Sequence, residues 1–164
     1  MKSKEKLDTI FSSDLRHLMA VSYIVLCNNA VSNRYIETRF GIPVQAWSSL
    51  FAIETFPGIK AKEIRKLFPR PQNTISRAIS LLEAKGMVRQ EASREDGREK
   101  KIFITGTGSE ILTEIRRVSV ARQEELFAPL DEKELQTFFE LARKIANGPA
   151  LTQSRTMPRD TPSV

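Results

Sequence analysis

A mainly α-helical fold carrying one small β-hairpin is expected from three observations. Apolar residues recur at helical spacing in six stretches, while only Met87–Ala92 and Lys100–Thr105 alternate in the manner of paired strands. The dipeptide Asp96-Gly97 between those two runs is a strong hairpin signal. The charge is also confined. The chain has a net charge of +6, and the segment Lys60–Lys101 holds 12 Lys and Arg against 6 Asp and Glu. The remaining residues balance at 14 of each sign.

The elements follow in order. Residues 1–13 read as a flexible lead-in. Asp14 to about Arg39 reads as one long helix, with Leu15, Leu18, Met19, Ser22, Val25, Leu26 and Asn29 along a broad stripe. Phe40-Gly41-Ile42-Pro43 interrupts it. Val44–Thr55 is a second helix, with Val44, Trp47, Leu50, Phe51 and Ile53 on its apolar side, and Pro57-Gly58 ends it. Lys60–Leu67 is a short helix with Ala61, Ile64 and Leu67 inward. The tight connection Phe68-Pro69-Arg70-Pro71 follows, because a proline disfavours helical geometry in the residue before it. Gln72–Lys85 is the next helix, with Gly86 at the place of a C-terminal cap. After the hairpin, Thr105 or Thr107 caps a helix running to about Phe127, with Ile111, Leu112, Ile115, Val118 and Leu126 inward. Asp131 and Glu134 make a capping-box start to the last helix. Leu135, Phe138, Phe139, Ala142 and Ile145 repeat along that helix. Residues 147–164, rich in Pro, Ser and Thr, read as a disordered tail.

A chain of 164 residues makes one domain or two small lobes. Its 40% hydrophobic and 28% charged residues are ordinary for a soluble globular protein. One cysteine, Cys27, excludes an intrachain disulfide framework and a multi-thiolate metal site. One histidine, His17, removes most histidine-based catalysis. The charged start Met1–Asp8 is unlike a secretory signal, and the apolar run at 17–31 is too short to span a membrane. A cytoplasmic location with no membrane partner is expected. There is no Gly-rich phosphate loop after a strand and no catalytic triad, so no enzyme, cofactor or metal is expected.

The basic segment holds the chemistry. On a helical wheel Ile75, Ala78, Ile79 and Leu82 cluster on one side of Gln72–Lys85, and Asn73, Ser76, Arg77, Ser80 and Ala84 lie opposite, with Gln72 and Thr74 flanking the start. Arg pairs bidentately with guanine, and Asn or Gln with adenine. A helix that enters the major groove reads bases through its N-terminal half, where these residues lie. Lys60, Lys62, Arg65 and Lys66 on the preceding helix are placed to neutralise phosphates. Arg94 and Arg98 flank the hairpin tip at Asp96, suited to a narrow minor groove. A solvated charged surface is the plain alternative, and the combination of features argues against it. The implied partner is duplex DNA.

These residues resemble the MarR family of winged helix-turn-helix regulators. The match spans roughly Asp14 to Ile145. It is most specific at Asn73-Thr74-Ile75-Ser76-Arg77, at Leu82-Glu83-Ala84-Lys85-Gly86-Met87-Val88, and at Asp96-x-Arg98 leading into Ile102-Phe103-Ile104-Thr105 and Gly108. Gly41-Ile42, Gln45 and Trp47-Ser48-Ser49-Leu50 add the family's second helix. The turn Phe68-Pro69-Arg70-Pro71 departs from it, where the family more often has small or glycine-containing turns. The resemblance implies a winged helix-turn-helix lobe over 40–105, and helical dimerisation regions over 14–39 and 106–146. It also implies a homodimer on a pseudopalindromic operator and a ligand-responsive repressor. Leu135, Phe138, Phe139 and Ile145 are more apolar surface than a small lobe needs and are read as shared dimer core, ahead of intrachain core.

Relatives also bind small aromatic or acidic effectors, which Arg16, His17 and Trp47 could meet; a surface cation pair and a core tryptophan are the preferred readings of those residues. Some relatives sense oxidants through a cysteine in the first long helix. Cys27, beside Val25 and Leu26 with no adjacent cation, reads better as a small core residue, so a thiol-based sensor is a lesser alternative. The rival function is a winged-helix module that binds an acidic protein surface. The polar Asn73-Ser76-Arg77-Ser80 face argues against it, since protein interfaces usually hold a large aromatic or aliphatic anchor.

Overall fold

The computed structural model describes residues 3–92 and 99–152. Among them are seven α-helices and two antiparallel strands, in the order α1 (Ser3–Phe11), α2 (Arg16–Phe40), α3 (Val44–Thr55), α4 (Ala61–Leu67), α5 (Gln72–Ala84), β1 (Val88–Ala92), β2 (Lys100–Ile104), α6 (Gly106–Phe127) and α7 (Glu132–Ala146). The chain divides into two units, Met1–Arg122 and Gln123–Val164. The expected mainly α fold with a β-hairpin is what the structure has.

The core of the first unit is built where sequence periodicity put it. Leu50 and Ile53 of α3, Ile64 of α4, Ile75, Ala78, Ile79 and Leu82 of α5, Val88 and Ile102 of the hairpin, and Leu112 and Ile115 of α6 are all buried. Each such branched side chain withdraws apolar surface worth roughly 1.5–3 kcal/mol. The strands pair Val88 with Ile104, Gln90 with Ile102 and Ala92 with Lys100. The loop between α3 and α4 adds a further rung: Gly58 N–H donates to the Ile102 carbonyl at 2.9 Å and Ile102 N–H to the Ile59 carbonyl at 3.2 Å. That rung fixes the hairpin's root against the start of α4.

One junction ties α5, the hairpin and α6 together. Gly86 closes α5 at φ 67°, a left-handed conformation that glycine adopts without strain. The Thr105 hydroxyl donates to the Gly86 carbonyl at 2.6 Å and accepts from Gly108 N–H at 3.2 Å, while Thr105 N–H donates to the Met87 carbonyl at 3.0 Å. Of the two candidate caps for α6, Thr105 is the one used. Gly108 lies so close to Met87, just before β1, that a β-carbon there would sit 2.0 Å from the Met87 carbonyl oxygen.

Four placements differ from the sequence reading. The lead-in 1–13 is not unstructured throughout, because Ser3–Phe11 is helical, with Phe11 edge-on to Tyr23 of α2 at 5.9 Å between ring centroids. Its Leu7, Ile10 and Phe11 fall at helical spacing, a signal too short to outweigh the charged residues around it. Cys27 is exposed and not core. The cause is α2 itself: only Ile36 of its 25 residues is buried, and Leu15, Leu18, Val25 and Leu26 stand in the open. Leu67, expected inward, is likewise exposed at the end of α4. Within the stretch read as a disordered tail, Pro149–Leu151 forms a 3-10 turn; residues 153–164 lie outside the described residues.

In the second unit the capping box forms as expected. Glu134 N–H donates to Asp131 at 2.8 Å and Asp131 N–H to Glu134 at 2.9 Å. Phe138 of α7 packs against Phe127, 5.3 Å between centroids. The rest of the apolar stripe is open: Leu135, Phe139, Leu141 and Ile145 are 39–64% exposed.

Candidate nucleic-acid interface

The burial of Ile75, Ala78, Ile79 and Leu82 decides which face of α5 points outward. Gln72, Asn73, Ser76, Arg77 and Ser80 are exposed on it, with Thr74 half-buried at its edge. Asn73, Ser76, Arg77 and Ser80 make no side-chain hydrogen bond to another described residue. Pro71 stands at the N-cap and supplies no side-chain acceptor, so the first turn keeps amide donors open to an outside anion.

Helix α4 packs beside α5, and the two share a small cleft of about 100 Å³ lined by Ala61, Lys62, Arg65, Gln72, Ile75 and Ser76. It brings two of the expected phosphate-binding cations together with two of the expected base-reading residues. Arg65 Nη1 donates to Gln72 Oε1 at 2.9 Å, which joins the helices across the cleft. Lys66 lies apart from this group, lining a larger cleft with Phe56, Pro57, Gly58, Ile59, Glu63 and Leu67. Lys60 stands at the N-cap of α4, where its backbone N–H donates to the Glu63 carboxylate at 2.9 Å.

Sequence reasoning passed over Glu99. Its carboxylate accepts hydrogen bonds from the ammonium groups of Lys60 and Lys62 at once. Those bonds, to Lys60 first and Lys62 second, hold its pKa below the usual carboxylate value. A signal was present, since Glu99 immediately precedes β2 and Lys60 immediately precedes α4, but only the Ile59–Ile102 rung brings the two together. Across the hairpin Arg89 stacks over the Phe103 ring at 4.7 Å and pairs with Glu91. The expected tip residues Arg94, Asp96 and Arg98 lie outside the described residues.

The effector residues are not joined. Arg16 and His17 are exposed in the first turn of α2, whereas Trp47 is half-buried on α3 against the core. Trp47 Nε1 is buried with no hydrogen-bond partner among the described residues. Leu135, Phe138, Phe139 and Ile145 lie on one face of α7, all substantially exposed.

Comparison with known proteins agrees with this geometry. Residues 40–99 match the model of the MarR family. The chain is 31% identical over 112 residues to a protein of Bacillus subtilis (strain 168) described as "Uncharacterized HTH-type transcriptional regulator YwoH", covering 68% of this chain and 80% of that one. The crystal structure of MarR is 26% identical with a TM-score of 0.72, covering 82% of this chain and 90% of that chain. The PcaV transcriptional regulator from Streptomyces coelicolor, solved in complex with its natural ligand, shares the fold at 18% identity and a TM-score of 0.66, over 85% of this chain and 95% of that one. The chain therefore belongs to the MarR family of winged helix-turn-helix transcriptional regulators, DNA-binding proteins and not enzymes.

Proposed function

We propose that this regulator binds a pseudopalindromic operator as a homodimer and represses transcription by occupying promoter DNA. The observation that carries the reading is the outward face of α5, polar from Gln72 through Asn73, Ser76 and Arg77 to Ser80 and exposed throughout, with Gln72 joined to Arg65 of α4. In a major groove these are the side chains that pair with base edges. Lys62 and Arg65, sharing a cleft with Gln72 and Ser76, take the adjoining phosphates together with Lys60 and Lys66. Arg94 and Arg98, from the segment joining β1 to β2, take the flanking minor groove.

The dimer is supported by two apolar surfaces that the chain leaves open: the α2 stripe with Leu15, Leu18, Val25 and Leu26, and the α7 stripe with Leu135, Phe138, Phe139 and Ile145. Surfaces of this kind on a soluble protein mark an interface. An effector reading also has support. The Trp47 indole N–H is buried without an acceptor among the described residues, and a small acidic or aromatic ligand would supply one. The similar-fold PcaV was solved with its natural ligand. Such a ligand would act only by binding the DNA-competent and incompetent states unequally.

Selection from a random duplex pool tests the proposal. Enrichment of two inverted half-sites about one helical turn apart, roughly 10 bp, with two chains per duplex is the expected result. A pool that stays random after repeated rounds would contradict sequence-specific binding.

A further inference from the structure

Glu99 stands at the entry to β2 and holds both Lys60 and Lys62. The backbone brings these residues within reach of one another. The rung between Ile59 and Ile102 brings the residue after Ile59 to the start of the strand, and Lys62 follows in the first turn of α4. The Glu99 and Lys60 side chains are only 24% and 21% exposed, so water screens this pair less than an ordinary surface pair; Lys62, at 55%, is more open. A carboxylate and a backbone phosphate are both delocalised oxyanions that seek the same ammonium donors. One carboxylate between two lysines also removes half of their joint charge from the surface offered to DNA.

We propose that Glu99 is an internal competitor for the DNA backbone: a carboxylate that must release Lys60 and Lys62 before either neutralises a phosphate, and that thereby limits how strongly the lobe holds DNA of any sequence. The proposal rests on the duplex-binding reading above. Non-specific binding is almost wholly phosphate neutralisation and counterion release. Damping it leaves the base contacts of α5 a larger share of the total. The lowered pKa of Glu99 keeps the competitor charged throughout the neutral range.

The test measures binding of the full chain to a selected duplex and a random one at roughly 50 and 200 mM salt, for the wild type, Glu99→Gln, Lys60→Met with Lys62→Met, and all three substitutions together. Glu99→Gln is expected to bind both duplexes more tightly, with a salt slope steeper by about one, so its affinity falls about 3-fold further between the two salts. In the background lacking both lysines, Glu99→Gln should change nothing. Unchanged binding by Glu99→Gln overturns the proposal. An equal gain without the lysines overturns it too, since the effect would then be long-range charge alone. Weaker binding would make Glu99 a strut for the hairpin. Titration of the Glu99 carboxyl by NMR separates the proposal from the reading beneath it. A carboxyl titrating in the ordinary range in the free chain sinks the clamp even where DNA binds. A wild-type chain that binds neither duplex sinks the DNA reading even where the titration is lowered.

Discussion

Two glycines two residues apart should respond to alanine in opposite directions. Alanine ordinarily stabilises a helix relative to glycine by roughly 0.5–1 kcal/mol, and both Gly106 and Gly108 lie in the first turn of α6. At Gly106 an added β-carbon meets nothing within 4 Å, so Gly106→Ala should stabilise by about 0.4–1 kcal/mol. At Gly108 it would lie 2.0 Å from the Met87 carbonyl oxygen and 2.9 Å from Cγ1 of Ile104. That oxygen is main chain and already accepts from Thr105 N–H at 3.0 Å, so it cannot swing aside as a side chain would. Overpacking of this sort costs about 1–3 kcal/mol, which overrides the helix gain. Net of that gain about 1–2 kcal/mol remains, so at about 2–4 °C per kcal/mol for a chain of this size Gly108→Ala should lower Tm by roughly 2–8 °C. Thermal unfolding followed by circular dichroism measures both variants. If Gly108→Ala melts with or above the wild type, the close packing of α6 on Met87 is wrong. Equal losses at both positions would show a helix-start effect unrelated to Met87.

Other expectations concern the interface. Arg77→Ala should lose about 1–3 kcal/mol on the selected duplex and far less on random DNA; equal losses would show that Arg77 does not read bases. Lys62→Ala should flatten the salt dependence by about one phosphate contact or less, because Glu99 already shares that charge. An unchanged slope removes Lys62 from the footprint. Replacing Phe138 and Phe139 together by Glu should shift the chain to monomer in sedimentation, and a dimer that persists would place its interface elsewhere. The carboxyl of Glu99, with its pKa lowered in the folded chain, stays ionised at neutral pH, so its contribution is complete above the ordinary carboxylate pKa and lost only as pH falls through the lowered one. The salt slope should therefore be flat from roughly pH 8 to pH 6, at pH values where Glu99 stays ionised. A slope that steepens across that window would implicate another group.

Much of the fold was legible because local signals agreed with one another. Val44–Thr55 was readable to the residue, since a Pro before it and Pro57-Gly58 after it bound its apolar run. The inward face of α5 was legible from the 3.6-residue spacing of Ile75, Ala78, Ile79 and Leu82. What escaped depended on long-range pairing. Cys27 sits among apolar neighbours in sequence, which says nothing about whether another element covers them, and among the described residues none does. Glu99 looked like one more solvated carboxylate until the Ile59–Ile102 rung set it beside Lys60, 39 residues away. The same rung explains why Lys60 and Lys62, read as free phosphate contacts, are already engaged.

The most direct test of the central claim is binding of the purified chain to a labelled duplex from upstream of its own gene, beside a scrambled duplex, at two salt concentrations. Saturable binding to the first that survives the higher salt, while binding to the second collapses, is the expected result, because base contacts by α5 do not depend on counterion release. Equal, salt-fragile binding to both duplexes would contradict it, leaving α5 a basic surface on a polyanion and not a reader of sequence.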